Sequence, residues 1–384
     1  MKAKIMIKRG LIVLLAFSSC FINTTVFAQD NVLYGERSFE MNVDAVFLDQ
    51  DGSIYPEFFI SNESLIKSKA RLHVWYKEHS SVFLAITKKH NCPVETADDR
   101  SIQQLEDTLL AQTIRKIESL KTATNTLNVL VHGYRKPFVA NEHDVTSIDA
   151  FANLEDKLNS GLGVVHPTLK IYWDASYNCC YSMDGEKNRE MFEGFERAYH
   201  RADTIGESLK KLLNTVTYAQ INFVGHSLAA KVLQSCLYDL KGNGIPCLAQ
   251  GRVNVCLIAP ATTGIESWVN FQRRNYSIPA QDNVRIWLLY NEKDFALKKK
   301  DNHFELFGPG AEAYGATTLG CNHKHTLDKF EKYTKEQFVR STFIFVDGTS
   351  LGKIHSQFIY LESPFLDQDK KLWRKNRIPI FVGK

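Results

Sequence analysis

The residues best suited to chemistry lie in a short turn around Ser227. An apolar run, Ile221-Asn-Phe-Val224, leads into Gly225-His-Ser-Leu-Ala229, and an amphipathic segment follows at once. A serine on such a strand-to-helix turn is forced out of the sheet, with its hydroxyl at the mouth of a crevice. Small residues are needed two positions to either side, because strand and helix backbones come close there. The pattern predicts Ser227 as a nucleophile, although an ordinary helix cap uses the same residue type.

A serine hydroxyl reacts near neutral pH only when a base accepts its proton, and histidine titrates in the useful range. His355 is the favoured base, because it lies on a loop after the last apolar run, Ser341–Val346. Asp294 follows another apolar run, Val284–Tyr290, and is the favoured partner of that histidine. Each of the three residues then comes at the carboxyl end of a strand, in the order serine, aspartate, histidine.

Other residues compete for these two roles. Glu292 and Asp174 also follow apolar runs and are alternatives for the acid. His226 is adjacent to the serine, but a side chain at that point of a sharp turn is directed away from it, so packing is its expected role. His132 lies beside another strand end, where it could shape the site without titrating.

His323 and His325 form the stretch Cys321-Asn-His-Lys-His325, which could be part of a metal site. No further ligand cluster with recognisable spacing accompanies them, so a metal site is disfavoured. The sequence therefore predicts neither a metal nor a cofactor.

A second apolar run, Leu127-Asn-Val-Leu-Val131, ends in His132-Gly133-Tyr134. Glycine lets the chain bend so that the Tyr134 N–H can point into the crevice. Together with the Leu228 N–H it would form a two-donor hole for the oxyanion of acyl transfer.

These features together resemble the α/β-hydrolase family, in particular a bacterial branch of serine hydrolases of unknown substrate. The resemblance spans about residues 127–360 and includes Tyr199-His-Arg-Ala202 and Asn291-Glu-Lys-Asp294. It implies Ser227 as nucleophile, His355 as general base and then acid, and Asp294 as the residue that orients the histidine. Ala229 stands where the family usually has glycine.

From residue 127 onward, short apolar runs alternate with amphipathic segments. Runs that are apolar on both faces are typical of strands in a parallel sheet covered by helices on both sides. The sequence thus predicts an α/β-hydrolase fold with a mostly parallel central sheet and helices between the strands. The predicted strands are 127–131, 169–173, 221–224, 253–259, 284–290 and 341–346, and the predicted helices include 188–213 and 229–240.

Residues 29–120 are predicted to be a strand-rich region followed by a helix, ahead of a catalytic core at 121–384. The expected strands include Arg37–Phe47, Arg71–Tyr76 and Ser81–Thr87, which would extend the main sheet. The helix that follows has a Ser101-Ile-Gln-Gln104 capping box and apolar residues at helical spacing.

Residues 1–28 are typical of a secretory signal peptide, with a basic start, an apolar run too short to span a membrane, and Val26-Phe-Ala28 before the expected cleavage site. Lipid anchoring through Cys20 is the alternative. Removing this segment takes four basic residues and no acidic ones from a chain of net charge +4, leaving 43 of each. A net charge near zero gives no overall electrostatic signature of a nucleic-acid-binding protein.

The sequence predicts an exported serine hydrolase, periplasmic or secreted, that cleaves a small-molecule or lipid ester through an acyl-enzyme. The same three residues can serve peptidases, thioesterases and acyltransferases, and a hydrolase-shaped binding protein without activity is a further alternative. The oligomeric state is not indicated by the sequence.

Overall fold

Seven parallel strands form the central sheet of the chain, in the order β1-β3-β2-β4-β5-β6-β7. The computed structural model describes residues 44–56, 71–122, 124–134, 147–159, 166–173, 175, 185–237, 252–262, 283–297, 299–300, 303–304, 318–322, 326–337, 342–362, 365–366 and 372–373. The strands are β1 (Ala45–Leu48), β2 (Thr126–Val131), β3 (Thr168–Trp173), β4 (Gln220–His226), β5 (Arg252–Ile258), β6 (Asn283–Tyr290) and β7 (Thr342–Asp347).

Eight α-helices lie within the described residues. They are α1 (Leu72–Glu78), α2 (Ser80–Lys89), α3 (Asp99–Ser119), α4 (Ser147–Asn159), α5 (Gly185–Leu213), α6 (Ala229–Leu237), α7 (Thr326–Gln337) and α8 (Gln357–Glu362). Short 3₁₀ turns span Leu319–Cys321 and Thr349–Leu351, and two antiparallel pairs of two-residue strands join Lys299–Lys300 to His303–Phe304 and Phe365–Leu366 to Leu372–Trp373.

The inner strands are buried on both faces, as the apolar runs predict. All six residues of β2 are buried, and so are all but the first residue of β4 and of β5. A strand without a solvent-facing side requires covering layers on both sides of the sheet. The predicted α/β fold and all six predicted core strands are confirmed, with bounds that differ by one or two residues.

The sheet changes its direction of growth at β2. Strand β3 pairs with one edge of β2, and β4, the next strand in the chain, pairs with the other edge. At such a switch point the loops after the two strands diverge and leave a crevice at the carboxyl end of the sheet. The loops after β2 and β4 are those that carry Gly133 and Ser227.

A row of buried asparagines fixes the register of the strands around this crevice. Asn254 Nδ2 donates to Asn222 Oδ1 over 2.7 Å, and Asn222 Nδ2 donates to Asn128 Oδ1 over 2.9 Å. The three residues are register partners on β5, β4 and β2. A slip of one residue would break both hydrogen bonds inside a buried layer, which is costly. The carboxyl ends of these strands are therefore held level with one another.

Helices α5 and α6 pack closely against each other. A Cβ on Gly206 of α5 would lie only 2.5 Å from Ser235 Cβ of α6, so glycine is needed at this crossing. Lys231 of α6, nearly inaccessible, donates to both carboxylate oxygens of Asp203 on α5 at 2.9 Å. This contact fixes the helix that begins directly after Ser227.

The prediction for the N-terminal region was right for the sheet and wrong for two of its strands. β1 lies parallel to β3 and extends the sheet, as expected. Residues 72–76 and 81–87 instead lie in the helices α1 and α2, and Arg71 directly precedes α1. Aromatic and β-branched residues suggested strands, but the buried positions are Leu72, Trp75 and Tyr76, and Val74 is exposed. That spacing is helical, and it decides the structure over local propensity.

Helix α3 confirms the predicted helical face, with Ile102, Leu105, Leu109 and Ile117 buried. Its cap differs from the prediction. The helix begins three residues earlier, and the side chain of Asp98 accepts from the Ser101 N–H at 2.8 Å. Ser101 is thus capped by an aspartate rather than acting as the cap itself. The predicted signal peptide and the strand residues before 44 lie outside the described residues.

Candidate active site

Ser227 lies in a strained turn between β4 and α6. Its φ is +56°, a value that residues other than glycine seldom adopt. Two backbone hydrogen bonds hold the residue from the next strand: the Ser227 N–H donates to Ile258 O at 2.9 Å, and its carbonyl accepts from the Ala261 N–H at 3.0 Å. Strain of this kind persists only where the surroundings fix it, and it is common at functional sites.

Gly225 explains how an alanine can occupy position 229. A Cβ added to Gly225 would lie 2.8 Å from Ala229 Cβ and 3.0 Å from a Leu233 methyl group. Positions 225 and 229 therefore cannot both carry a side chain where the strand and the helix come together. Because the strand contributes glycine, the helix accommodates one methyl group without opening the turn.

The side chains of Ser227, His355 and Asp294 form one chain of hydrogen bonds. The Ser227 Oγ lies 2.9 Å from His355 Nε2, and His355 Nδ1 lies 2.7 Å from Asp294 Oδ2. The three residues follow β4, β7 and β6, respectively. A carboxylate only accepts hydrogen bonds, so Nδ1 carries the imidazole proton and Nε2 is free to accept from the serine hydroxyl. The structure thus brings together the three residues that the sequence singles out.

Asp294 is inaccessible to solvent, yet both of its oxygens have donors. Oδ1 accepts from the backbone N–H groups of Ala296 at 2.9 Å and Leu297 at 3.2 Å. Oδ2 accepts from His355 and lies 3.0 Å from the Tyr360 hydroxyl. Four donors around one buried carboxylate fix its plane and satisfy both of its oxygens.

The loop that carries His355 is tied to the turn that carries Asp294. Asn291 Nδ2 donates to Gly352 O at 2.8 Å and lies 3.2 Å from the Tyr360 hydroxyl, which in turn lies 3.0 Å from Ile354 O. Both Asn291 and Tyr360 are completely buried. Neither residue stands out from the sequence as a functional candidate. Asn291 opens the Asn-Glu-Lys-Asp stretch that was noted, whereas Tyr360 has no local signal of its own.

The backbone after β2 lies directly against the serine turn. A Cβ on Gly133 would lie 2.7 Å from His226 O and 3.2 Å from Ser227 Cβ, so only glycine fits there. His132 Nδ1 lies 2.9 Å from Gly133 O, and His132 Nε2 accepts from the Trp173 backbone N–H at 3.0 Å. The ring is therefore neutral, with its proton on Nδ1.

These contacts of His132 orient the peptide between Gly133 and Tyr134. In a trans peptide the C=O and the N–H point in opposite directions. Since the Gly133 carbonyl is held toward the His132 ring, the Tyr134 N–H is directed away from that ring. Tyr134 and Leu228 are the two residues predicted to supply oxyanion donors, and both are buried. Leu228 directly follows Ser227, and Tyr134 directly follows Gly133, whose backbone lies against the serine turn.

The competing candidates have different surroundings. Asp294 contacts His355, whereas Glu292 is exposed and its backbone N–H donates to Thr349. His226 is buried, with its ring centroid 4.9 Å from that of His355, and it packs beside the triad. The remaining alternatives, Asp174, His323 and His325, lie outside the described residues.

The described residues contain neither a cluster of metal-ligating side chains nor a helix suited to a membrane. No group of three or more His, Cys, Asp or Glu side chains there is placed to hold a metal ion. None of the helices in that part of the chain has the length and apolar character needed to cross a membrane.

Comparisons with known proteins identify distant structural likeness. No protein-family model matches the sequence, and no curated protein matches it at the significance required. Among the solved structures that match are a proposed cell surface hydrolase of Lactobacillus plantarum (11% identity, 62% of this chain, 86% of the other, TM-score 0.33) and a proposed thioesterase of Silicibacter sp. (13%, 61%, 70%, 0.29). An esterase of Pyrococcus furiosus matches at 12% identity, over 62% of this chain and 79% of the other, with a TM-score of 0.28.

TM-scores and sequence identities this low do not identify a function. The fold is identified by the topology of the chain itself. The direction of sheet growth switches between β2 and β4, and a serine on a sharp strand-to-helix turn lies at that switch. The acid and the histidine follow later strands in the chain order of this architecture. This chain has the α/β-hydrolase fold.

Proposed function

We propose that the chain is a serine hydrolase that cleaves a carboxylic ester or a related acyl bond through an acyl-enzyme. The observation that carries the proposal is the continuous hydrogen bonding from Ser227 Oγ through His355 to Asp294, at 2.9 and 2.7 Å. A nucleophile in contact with a base, and a base oriented by an acid, is the arrangement required for activating a hydroxyl group.

In the first half of the reaction, Ser227 Oγ attacks the carbonyl carbon of the substrate. As the new C–O bond forms, the hydroxyl proton passes to His355 Nε2, and the carbonyl π electrons move to the oxygen. Asp294 stabilises the resulting imidazolium through Nδ1. When the bond to the leaving group breaks, the departing oxygen takes the proton from Nε2, which leaves an acyl group on Ser227 and a neutral His355.

The N–H groups of Tyr134 and Leu228 are the proposed donors to the oxyanion. Leu228 directly follows the nucleophile at the start of a helix, where backbone N–H groups are unpaired within the helix. The Tyr134 N–H is oriented by the anchored Gly133 carbonyl. One preorganised donor of this kind stabilises a transition state by about 3–4 kcal/mol.

In the second half, a water molecule replaces the leaving group. His355 Nε2 accepts a proton from that water while its oxygen attacks the acyl carbon. Collapse of the tetrahedral intermediate returns the proton to Ser227 Oγ, releases the carboxylic acid, and restores the starting protein. A carboxylic ester is the substrate class proposed first, because an alkoxide leaves more readily than an amide nitrogen.

A fluorophosphonate probe tests this function without knowledge of the physiological substrate. Activated Ser227 should form an Oγ–P bond and expel fluoride, and peptide mass mapping should place the adduct on Ser227 alone. Heat-denatured protein, in which the triad is dispersed, provides the control and should remain unlabelled. A native protein that forms no adduct, or forms it on another residue, would remove Ser227 from its role. Turnover of short acyl esters, compared with thioesters and peptides, then identifies the bond type.

We also propose that the protein is exported, on the basis of the basic, apolar and small-residue pattern of residues 1–28. Protein recovered from the periplasm or the medium should begin at Gln29, as measured by intact mass. Retention in the membrane fraction with a lipid-modified Cys20 at the amino terminus would contradict release and indicate an anchored form. Full-length protein found only inside the cell would contradict export altogether.

A further inference from the structure

We infer that Tyr360 is a positioning residue of the triad, whose hydroxyl donates to Asp294 Oδ2 and weakens the attraction of that carboxylate for His355. The inference depends on the proposed function, because it concerns how the base of that reaction is adjusted. It adds a fourth side chain to the three that the sequence predicts.

The geometry places two donors on one carboxylate oxygen. Asp294 Oδ2 lies 2.7 Å from His355 Nδ1 and 3.0 Å from the Tyr360 hydroxyl. All three side chains meet in a region where Asp294 and Tyr360 are 0% exposed. Without water to screen it, a hydrogen bond to an ionised group is strong. Two donors on one carboxylate oxygen share its negative charge, so each of them is attracted less strongly than it would be alone.

The single hydroxyl proton of Tyr360 has two acceptors within reach. Asp294 Oδ2 and Ile354 O both lie at 3.0 Å, while Asn291 Nδ2 donates toward the hydroxyl oxygen from 3.2 Å. An ionised carboxylate is the stronger acceptor, so the proton is directed to Asp294. Burial, followed by the charge of Asp294, raises the pKa of Tyr360 well above its usual range, which keeps the hydroxyl protonated at every working pH.

The sign of the effect on His355 follows from this sharing. The imidazolium of His355 is stabilised by the negative charge on Asp294. A second donor on Oδ2 reduces that stabilisation, so the Asp294 carboxylate holds the imidazolium less strongly than it would in a triad without that donor. A more weakly basic His355 is neutral, and able to accept the serine proton, down to a lower pH. Tyr360 therefore extends the working range of the site toward acid.

Other titratable groups face this cluster and stay unchanged in the test. His226 on β4 packs against the His355 ring at 4.9 Å, and Cys321, ahead of α7, is buried near Tyr360. Neither contacts Asp294 Oδ2 in a described hydrogen bond. A change confined to the Tyr360 hydroxyl therefore isolates its contribution.

Tyr360→Phe removes the hydroxyl and keeps the ring. The measurement is the rate of fluorophosphonate labelling of Ser227 between pH 5 and pH 9, whose acidic midpoint reports the ionisation of His355. We expect that midpoint to rise by about half to one pH unit, because His355 becomes the stronger base when the second donor is lost. The matched control is Tyr218→Phe, which removes a buried hydroxyl that donates to Ile117 O at 2.6 Å, away from the triad. Its midpoint should equal that of the unmodified protein.

A role in packing alone would lower the melting temperature of both variants and leave both midpoints unchanged, and that result would overturn the inference. Should Tyr360→Phe fail to fold, protein with 3-fluorotyrosine at all tyrosines replaces it. The fluorinated hydroxyl is a stronger donor, so the midpoint should fall, and an unchanged or higher midpoint would contradict the inference. Wild-type protein that is not labelled at Ser227 would reject the proposed function and this inference together. If the wild-type protein is labelled at Ser227 but Tyr360→Phe has an unchanged midpoint, only the role of Tyr360 is rejected.

Discussion

Replacing Ser227 with alanine is expected to lower kcat on an activated acyl ester by about 10⁴- to 10⁶-fold. The change removes the only atom that the mechanism uses to form the acyl-enzyme, while Cβ and the strained backbone of the turn remain. The hydrogen bonds of the Ser227 backbone to Ile258 and Ala261 do not involve the hydroxyl, so the fold should be retained. Initial rates, together with a thermal melt of each protein, measure the effect.

The matched control for this variant is Ser350→Ala. Ser350 is exposed in the 3₁₀ turn between β7 and His355, so it shares the residue type and the neighbourhood but not the contact with the imidazole. Its kcat should remain within about two-fold of the unmodified protein, as for other exposed substitutions. A Ser227→Ala protein that keeps more than a hundredth of the activity would contradict the assignment of the nucleophile.

Replacing Asp294 with asparagine is expected to reduce kcat by about 10⁴-fold and to leave KM nearly unchanged. The amide nitrogen can donate to His355 Nδ1, which would place the imidazole proton on Nε2. In that tautomer Nε2 can no longer accept from the Ser227 hydroxyl, and a charge that stabilises the imidazolium is also lost. Steady-state kinetics over a range of ester concentrations separate the effect on kcat from that on KM.

Glu292→Gln is the control, because it also neutralises an acid in the same turn. Glu292 is exposed, and the structure connects only its backbone N–H to the loop of His355, through Thr349. Activity should be retained in this variant. Equal losses in the two variants would indicate that the charge of the turn matters more than the contact between Asp294 and His355.

The core of the fold could be predicted because its signal is local and repeated. Six strands are apolar on both faces, and a parallel sheet places their carboxyl ends on one edge whatever lies between them. That rule, together with the chemistry of an activated serine and the resemblance to a known family, led to the choice of Ser227, Asp294 and His355 among the polar residues that follow strands. The N-terminal region has no repeated pattern of this kind. Its strands were therefore predicted from residue types alone, and Trp75 and Tyr76 were wrongly assigned to a strand.

The parts of the site that escaped prediction act through tertiary contacts. Tyr360 reaches Asp294 from a short helix 66 positions later in the chain, and Asn291 binds a carbonyl 61 positions away. Nothing in the residues beside either one distinguishes it from a tyrosine or asparagine with a purely structural role. Only the folded arrangement brings the Tyr360 hydroxyl to the Asp294 carboxylate and the Asn291 amide to that hydroxyl.

The position of His355 has a consequence for the growing polypeptide. The histidine lies 128 residues after Ser227 and follows β7, which is an edge strand and, within the described residues, the last strand of the sheet along the chain. A nascent chain that has not yet emerged beyond residue 342 can form the serine turn but has no imidazole to activate it. Under the proposed mechanism, the ribosome-bound protein is unreactive toward acyl groups, and reactivity begins only when synthesis and folding are almost complete.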